Sequence, residues 1–190
     1  MGIRKFFKEL ILGDESEHPE SDKLARQLKK IRADELDLPA ETRAQLEEEL
    51  RPALEGHNFE HGFRLGAQLL KERKFQQAIY VYRKLAERYP DKRQDCEAQV
   101  GMVYYCMGKY AKAIESYIAA RVHGADESWM DESIWEACET QAHRIEDPLR
   151  QRESLELYLR ICPTGEHRHQ AETELQNLPR QNSAASGAQG

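Results

Sequence analysis

The sequence lacks a long apolar run: no stretch of its 190 residues approaches the roughly 18 apolar residues that a membrane-spanning helix needs. Its N-terminus also lacks a cleavable signal segment of the usual design. These two absences predict a cytoplasmic protein, with a peripheral position at a membrane as the alternative.

An excess of positive charge is missing as well. The formal net charge is −6, whereas a dedicated nucleic-acid binder needs a basic surface to neutralise phosphates. Glycine and proline are scarce, with eleven and seven copies, and most fall near the ends of periodic segments. Helices suit this distribution better than a sheet protein does, so the composition predicts an all-α fold without a nucleic-acid partner.

Cysteine pairs and catalytic motifs are also absent. The four cysteines lie far apart inside apolar helical patterns, which predicts reduced core thiols rather than a disulfide framework or a zinc site; they are Cys96, Cys106, Cys138 and Cys162. No Gly-rich phosphate loop, nucleophile elbow or Ser/His/Asp order occurs. The sequence therefore predicts no catalytic residue, no cofactor and no resident metal.

The first feature present is a short amphipathic arm over residues 1–13. Apolar side chains share one face of a helix drawn over residues 2–12, and they are Ile3, Phe6, Phe7, Leu10 and Ile11. Arg4, Lys5 and Lys8 occupy the other face. Residues 14–21 are acidic and contain a proline, which predicts a linker.

A helical hairpin is predicted next, within residues 14–56. Its first helix carries Leu24, Leu28 and Ile31 at helical spacing. A break follows at residues 36–39, and the second helix, over about 39–55, places Leu46, Leu50 and Leu54 four residues apart, with Pro52 as a potential kink.

Internal repetition dominates the segment that follows. When the chain is shifted by 35 positions, residues 65–82 match residues 100–117. The matched pairs are Leu65 with Val100, Gly66 with Gly101, Leu69 with Tyr104, Lys74 with Lys109, Phe75 with Tyr110, Ala78 with Ala113, Ile79 with Ile114, and Tyr82 with Tyr117. Each copy predicts two helices joined by a short turn, which lies at residues 73–74 in the first and at Gly108 in the second.

These residues resemble the tetratricopeptide repeat (TPR) family. Its signature sites are matched by Gly66, Phe75, Ala78, Tyr82 and Pro90 in the first copy, and by Gly101, Tyr110, Ala113 and Tyr117 in the second. The pattern departs from the family at Gly62 and Glu97, where tryptophan is usual, and at Ala125, where proline is usual. The resemblance implies a short α-solenoid of helix-turn-helix repeats.

The TPR-like domain is predicted to span residues 57–178, with repeats at about 58–91, 92–125 and 127–163. A divergent third repeat is predicted by the apolar spacing of two helices. The first carries Ile134, Cys138, Ala142 and Ile145, and the second carries Leu149, Leu155, Tyr158 and Ile161. A capping helix over 166–178 places Ala171, Leu175 and Leu178 on one face. Residues 179–190, rich in Ser, Ala, Gly and Gln, predict a disordered tail.

The resemblance also implies a concave groove lined by the first helix of each repeat. Its positions fall on Phe63, Ala67, Leu70 and Lys71 in the first repeat, and on Ala98, Met102, Tyr105 and Cys106 in the second. Members that clasp a C-terminal carboxylate carry Lys and Asn where Phe63 and Ala67 stand, so an apolar helix or extended peptide of another protein is the expected ligand.

Three functional interpretations follow from the sequence. The first is a scaffold or adaptor that binds a partner protein in this groove, unless the N-terminal helices of the same chain already fill it. The second is a peripheral membrane adaptor, whose arm makes weak or reversible contact with lipid. The third and most distant is a zinc-dependent hydrolase, based on the H-x-x-E-H string of His57, Glu60 and His61.

Two further groups of residues have both a structural and a functional interpretation. His167 and His169, beside Glu166, could bind a metal, but a solvated capping helix explains them better. Trp129 and Trp135 are expected in the core of the third repeat, with a role as binding anchors as the alternative.

Overall fold

The computed structural model describes residues 38–144 and 146–179, which form eight helices and no strand. They are α1 (Ala40–Leu54), α2 (Phe59–Lys71), α3 (Phe75–Arg88), α4 (Arg93–Cys106), α5 (Tyr110–Val122), α6 (Glu127–Arg144), α7 (Pro148–Ile161) and α8 (Arg168–Asn177), with a 3-10 turn at Pro90–Lys92. The all-α prediction is confirmed. The predicted arm, the first hairpin helix, Ile145 and the tail beyond Pro179 lie outside the described residues.

The packing follows the order of the chain. Each helix packs mainly against the helices before and after it, and α1 also contacts α3. As a result, α3 lies between α2 and α4, and α5 lies between α4 and α6. Buried apolar side chains continue from Leu46 and Leu50 on α1 to Ala171 on α8, so one core runs along all the described helices.

The turns of the two matched copies are the same turn. Arg73 and Gly108, 35 residues apart, both have a left-handed backbone, with φ of 60° and 71°. The N–H groups of Lys74 and Lys109 each donate to a carbonyl five residues earlier, at 2.9 Å in both copies. The repetition seen in the sequence is therefore a repetition of backbone geometry, although Arg73 accepts a conformation that favours glycine.

Glycine and tyrosine form equivalent pairs in the two copies. A Cβ atom on Gly66 would lie 2.6 Å from Cζ of Tyr82, and one on Gly101 would lie 2.5 Å from the ring of Tyr117. Each glycine thus lets a buried tyrosine ring pack directly on the backbone of the first helix. The second helix of each copy therefore lies close to the backbone of the first.

Ala78 and Ala113 are completely buried, as expected for small residues at a helix contact. We expect Ala78→Leu and Ala113→Leu each to lower the free energy of unfolding by about 1–3 kcal/mol, because added methyl groups overpack a filled core. Urea-induced unfolding measures the loss. The matched control is Ala111→Leu, which changes an exposed alanine on the same helix as Ala113. Equal stability in all three variants would contradict the assigned packing.

The segment predicted as a third repeat has the buried pattern of the second helix, with a polar residue where alanine stands in the two matched copies. Ser154, Leu155, Tyr158 and Ile161 on α7 have the spacing of Ala78, Ile79, Tyr82 and Leu85 on α3, and all four are buried. The hydroxyl of Ser154 donates to the carbonyl of Cys138 at 2.9 Å, which satisfies a polar group at this buried site. Hydrophobic periodicity does not single out Ser154, because serine is polar.

Leu149 is a correction to the predicted third repeat. It is 44% exposed, although it was expected on the packed face of α7. Nine residues separate it from Tyr158, which on an α-helix is a rotation of roughly half a turn, so Leu149 lies on the opposite face.

None of the helices in the described ranges is both long enough and apolar enough to cross a membrane.

Candidate functional site

Two apolar stripes run along α2 and α4. Phe63, Ala67 and Leu70 follow the i, i+4, i+7 spacing of one helix face, and Met102 and Tyr105 continue the same spacing on α4. Ala67 is exposed, and the other four are half-buried. Side chains of this kind keep accessible apolar surface, which a ligand can cover.

The remaining predicted groove residues divide into two groups. Lys71 and Cys106 are exposed, so both are available to a ligand. Ala98 is only 1% exposed and belongs to the core, which corrects its predicted place in the groove. A single methyl group does not extend beyond the helices that pack on either side of α4, so Ala98 remains beneath the surface.

Aromatic contacts hold Phe63 in place on the α2 stripe. Its ring centroid lies 5.2 Å from that of Phe59 and 5.4 Å from that of Tyr82, the second in an edge-on arrangement. Phe59 in turn lies 5.4 Å from Tyr89. Phe63 therefore offers a rigid apolar edge, which loses little conformational entropy when a ligand covers it.

Tyr105 connects the α4 stripe to α6. Its hydroxyl shares a hydrogen bond of 3.2 Å with the hydroxyl of Thr140, and its ring lies edge-on to Tyr110, with the centroids 5.5 Å apart. The guanidinium of Arg144 lies 5.5 Å from the ring of Tyr110. Helix α6 thus forms the wall opposite α4.

Helix α5 packs against both α4 and α6, and its buried Tyr117 forms the floor between them. Burial raises the pKa of Tyr117, and the negative charge of Glu136 raises it further, with smaller contributions from Cys106 and Tyr105. Glu136 lies one helical turn before Thr140, the hydrogen-bond partner of Tyr105. We call the surface formed by Met102, Tyr105, Cys106, Glu136 and Thr140 the α4–α6 groove.

The charge on α6 differs from the charge on α2. Glu132, Glu136 and Glu139 form an acidic stripe on α6 at i, i+4, i+7 spacing, whereas α2 exposes Arg64 and Lys71. Two of the acids contact the α8 side: Glu132 Oε2 lies 2.6 Å from His167 Nε2, and Glu139 accepts a hydrogen bond of 3.1 Å from Gln170. Glu136, between them, is exposed.

Helix α1 covers the N-terminal end of the row of packed helices and leaves the apolar stripes on α2 and α4 uncovered. A Cβ atom on Gly62 would lie 2.6 Å from a methyl carbon of Leu85 and 3.0 Å from Cβ of Ala53, so the glycine makes room for both α3 and α1. The hydroxyl of Tyr80 donates to Glu47 at 2.5 Å, and Arg88 donates to the carbonyl of Leu54 at 2.9 Å. Of the predicted N-terminal hairpin, α1 does not fill the groove, and residues 1–37 lie outside the described ranges.

A buried polar cluster joins α6, α7 and the start of α8. Asp131 is 7% exposed, and its carboxylate accepts hydrogen bonds from the Tyr158 hydroxyl at 3.0 Å and from the Glu166 N–H at 2.9 Å. The His167 N–H donates to the Tyr158 hydroxyl at 3.2 Å, and its ring stacks on Trp135 with centroids 5.2 Å apart.

The sequence analysis did not identify Asp131 as a partner of these groups. The available signal was an acidic residue among the apolar positions of Met130, Ile134 and Trp135. Trp135 is in the core, as expected, whereas Trp129 is 45% exposed. The cluster places His167 in a packing role at the end of the stack.

The H-x-x-E-H string does not form a helical pair of imidazoles. His57 has a φ of 55° and precedes α2, which begins at Phe59 after the N-cap Asn58. Its Nδ1 lies 2.9 Å from Nη2 of Arg88. Within residues 38–144 and 146–179, no group of three or more His, Cys, Asp or Glu side chains is arranged to hold a metal ion.

Three of the four cysteines are core residues. Cys96, Cys138 and Cys162 are buried, and this burial raises the pKa of each thiol to about 12. Cys106 is exposed, so its prediction as a core thiol was wrong; it lies at the C-terminal end of α4, on the rim of the α4–α6 groove.

Comparison of the chain with protein-family models, with curated proteins and with solved structures found no match.

Proposed function

We propose that this chain is a TPR-like scaffold or adaptor that binds an amphipathic helix or an extended peptide of a partner protein, and that it catalyses no reaction. The observation that carries the proposal is the pair of half-buried apolar stripes on α2 and α4. The matched turns and the two Gly–Tyr pairs support repeat stacking, which in TPR-like arrays leaves the first helices free to bind.

The expected ligand follows from the chemistry of the stripes. Phe63, Leu70, Met102 and Tyr105 offer apolar and aromatic contacts, and Ala67 leaves space between them for a partner's side chain. A few buried apolar anchors usually supply most of the binding energy in interfaces of this kind. Residues of a partner helix at i, i+3, i+4 and i+7 would make these contacts.

The proposal is tested by affinity capture from cell extract with quantitative mass spectrometry. We expect Met102→Glu to reduce partner recovery about tenfold or more, because a desolvated charge on an apolar contact costs at least about 1.4 kcal/mol. The matched control, Ala111→Glu, adds the same charge to an exposed site on α5. Circular dichroism should show equal helical content in both variants.

A partner recovered equally by all three chains would contradict the proposed binding surface. Met102 is a better position for this test than Tyr105. Tyr105→Glu should also abolish capture, but Tyr105 bonds Thr140 and packs on Tyr110, so that variant loses stability as well as binding.

The second candidate function is peripheral membrane binding through residues 2–12, which is supported by the basic and apolar pattern of the arm. We expect only weak, salt-sensitive pelleting with anionic vesicles, because each cation near the surface contributes about 1 kcal/mol and Phe6 replaces the Ser or Thr of the myristoylation pattern. Co-sedimentation of the full chain is compared with a chain that begins at Asp14. Strong pelleting of the full chain alone would favour the membrane function instead.

A further inference from the structure

The α4–α6 groove combines two chemical properties. Met102 and the ring of Tyr105 supply half-buried apolar surface, while Glu136, one helical turn from the Thr140 that bonds Tyr105, supplies an exposed negative charge. The acids at Glu132 and Glu139 extend this charge along α6. A ligand that fits both properties is apolar on one side and basic on the other.

The chain itself contains a segment of this chemistry. Residues 2–12 carry five large apolar residues on one predicted helix face, and Arg4, Lys5 and Lys8 on the other, against a single acid, Glu9. The charge of this segment is therefore opposite to that of α6.

The chain is also long enough for the segment to reach the groove. Residues 13–37 connect it to Leu38, which is buried at the start of the described structure. These residues span up to roughly 80 Å when extended, and roughly 55 Å if the helix predicted around Leu24 and Ile31 forms. Helices pack about 8–10 Å apart, so five successive packing steps from α1 to α6 cover at most roughly 50 Å.

We propose that residues 2–12 bind the α4–α6 groove of their own chain, with their apolar face on Met102 and Tyr105 and their cations beside the acids of α6. This inference rests on the proposed function, since it makes the N-terminal arm a competitor of the partner protein. Covalent linkage favours the arm, because it keeps the segment at a high effective concentration near the groove. A partner must then displace the arm, and the net affinity of the full chain is lower than that of the open groove.

Cys106 makes the proposal measurable in the full chain. Its thiol is exposed at the rim of the groove, while the other three cysteines are buried. The rate of alkylation of Cys106 by iodoacetamide, followed by peptide mass spectrometry, reports whether the groove is covered. If the arm is bound nine-tenths of the time, the rate is about tenfold lower than in an open groove.

The test compares the wild-type chain with the double variant Phe7→Glu, Leu10→Glu, which removes the apolar face of the arm. We expect alkylation of Cys106 to become about tenfold faster in this variant, while Ala111→Glu, the charge control on α5, leaves the rate unchanged. Glu136→Lys should also accelerate the reaction, and more so at low salt, because it places a cation opposite the arm. Equal rates in wild type and in the double variant would overturn the proposal, and vesicle pelleting would then assign the arm to the membrane surface.

Two further measurements identify the occupant. A synthetic peptide of residues 2–12 added to the double variant should slow alkylation again; an unchanged rate at saturating peptide would overturn the proposal. Protection that disappears on dilution of the wild-type chain would mean that a second copy supplies the arm, which also overturns it. The alkylation rates need no partner protein, so their outcome is independent of the capture experiment with Met102→Glu.

Discussion

Replacing Asp131 by alanine should lower the free energy of unfolding by about 2–4 kcal/mol, because one buried and one partly buried donor lose their acceptor. The hydroxyl of Tyr158 and the N–H of Glu166 both donate to this carboxylate. Each unsatisfied buried polar group costs about 1–3 kcal/mol. Urea-induced unfolding, followed by tryptophan fluorescence, measures the loss, since the ring of Trp135 lies 5.0 Å from that of Tyr158.

The matched control is Glu132→Ala, the next residue on α6. Glu132 is exposed and contacts His167, and an exposed ion pair contributes at most about 1 kcal/mol. Gly165→Ala should destabilise in the same sense as Asp131→Ala, because a Cβ atom there would overlap the Tyr158 hydroxyl and the Asp131 carboxylate. Similar small losses for Asp131→Ala and Glu132→Ala would show that the cluster does not hold α8 to the stack.

Raising the pH from 10 to 12 should remove about 2 kcal/mol of stability through Tyr82 alone. Burial, and to a smaller degree nearby Cys96, raises the pKa of Tyr82 from 10.0 to about 12. The unfolded chain therefore loses this proton at lower pH than the folded chain does. The contribution of Tyr82 to the free energy of unfolding is complete below pH 10, and it disappears as the pH rises through the pKa of Tyr82 in the folded chain.

Tyr82→Phe tests this assignment, because the Tyr82 hydroxyl has no hydrogen-bond partner among the described residues. We expect the variant to match or slightly exceed the wild type at pH 7, and to lose less stability than the wild type between pH 10 and 12. Tyr80 provides the contrast. Burial and its bond to Glu47 raise the pKa of Tyr80 to about 12, so Tyr80→Phe flattens the alkaline loss but costs about 0.5–1.5 kcal/mol at pH 7.

If the free energy of unfolding falls equally with pH in the wild type and in Tyr82→Phe, the Tyr82 hydroxyl reaches solvent in the folded protein. That result would also bear on the packing of α2, since the ring of Tyr82 fills the space that Gly66 leaves. Free energies of unfolding from urea titrations at each pH make the comparison, with circular dichroism as the probe.

The sequence alone determined the helices and their turns. The i, i+3, i+4 pattern from Phe75 and the proline at Pro90 depend on backbone geometry within a few residues. Helix α3 therefore begins at Phe75, directly after the turn predicted at residues 73–74, and ends at Arg88, before Pro90. The 35-residue repetition extended this local information to equivalent positions of the two copies, whereas the structure identified Tyr82 and Tyr117 as the residues that pack on Gly66 and Gly101. The small sites at Ala78 and Ala113 follow from the same repetition, and both are fully buried.

Only the tertiary structure decided which side chains of a given helix face solvent. Ala98 and Met102 share a helix face by spacing, yet Ala98 is buried and Met102 is half-buried, because neighbouring helices cover a short side chain and leave a long one partly accessible. Asp131 looks like a surface acid in sequence, but the N–H of Glu166, just before α8, and the hydroxyl of Tyr158, both far along the chain, make it a buried acceptor. Burial and hydrogen bonding of this kind depend on residues distant in sequence, which local periodicity does not encode.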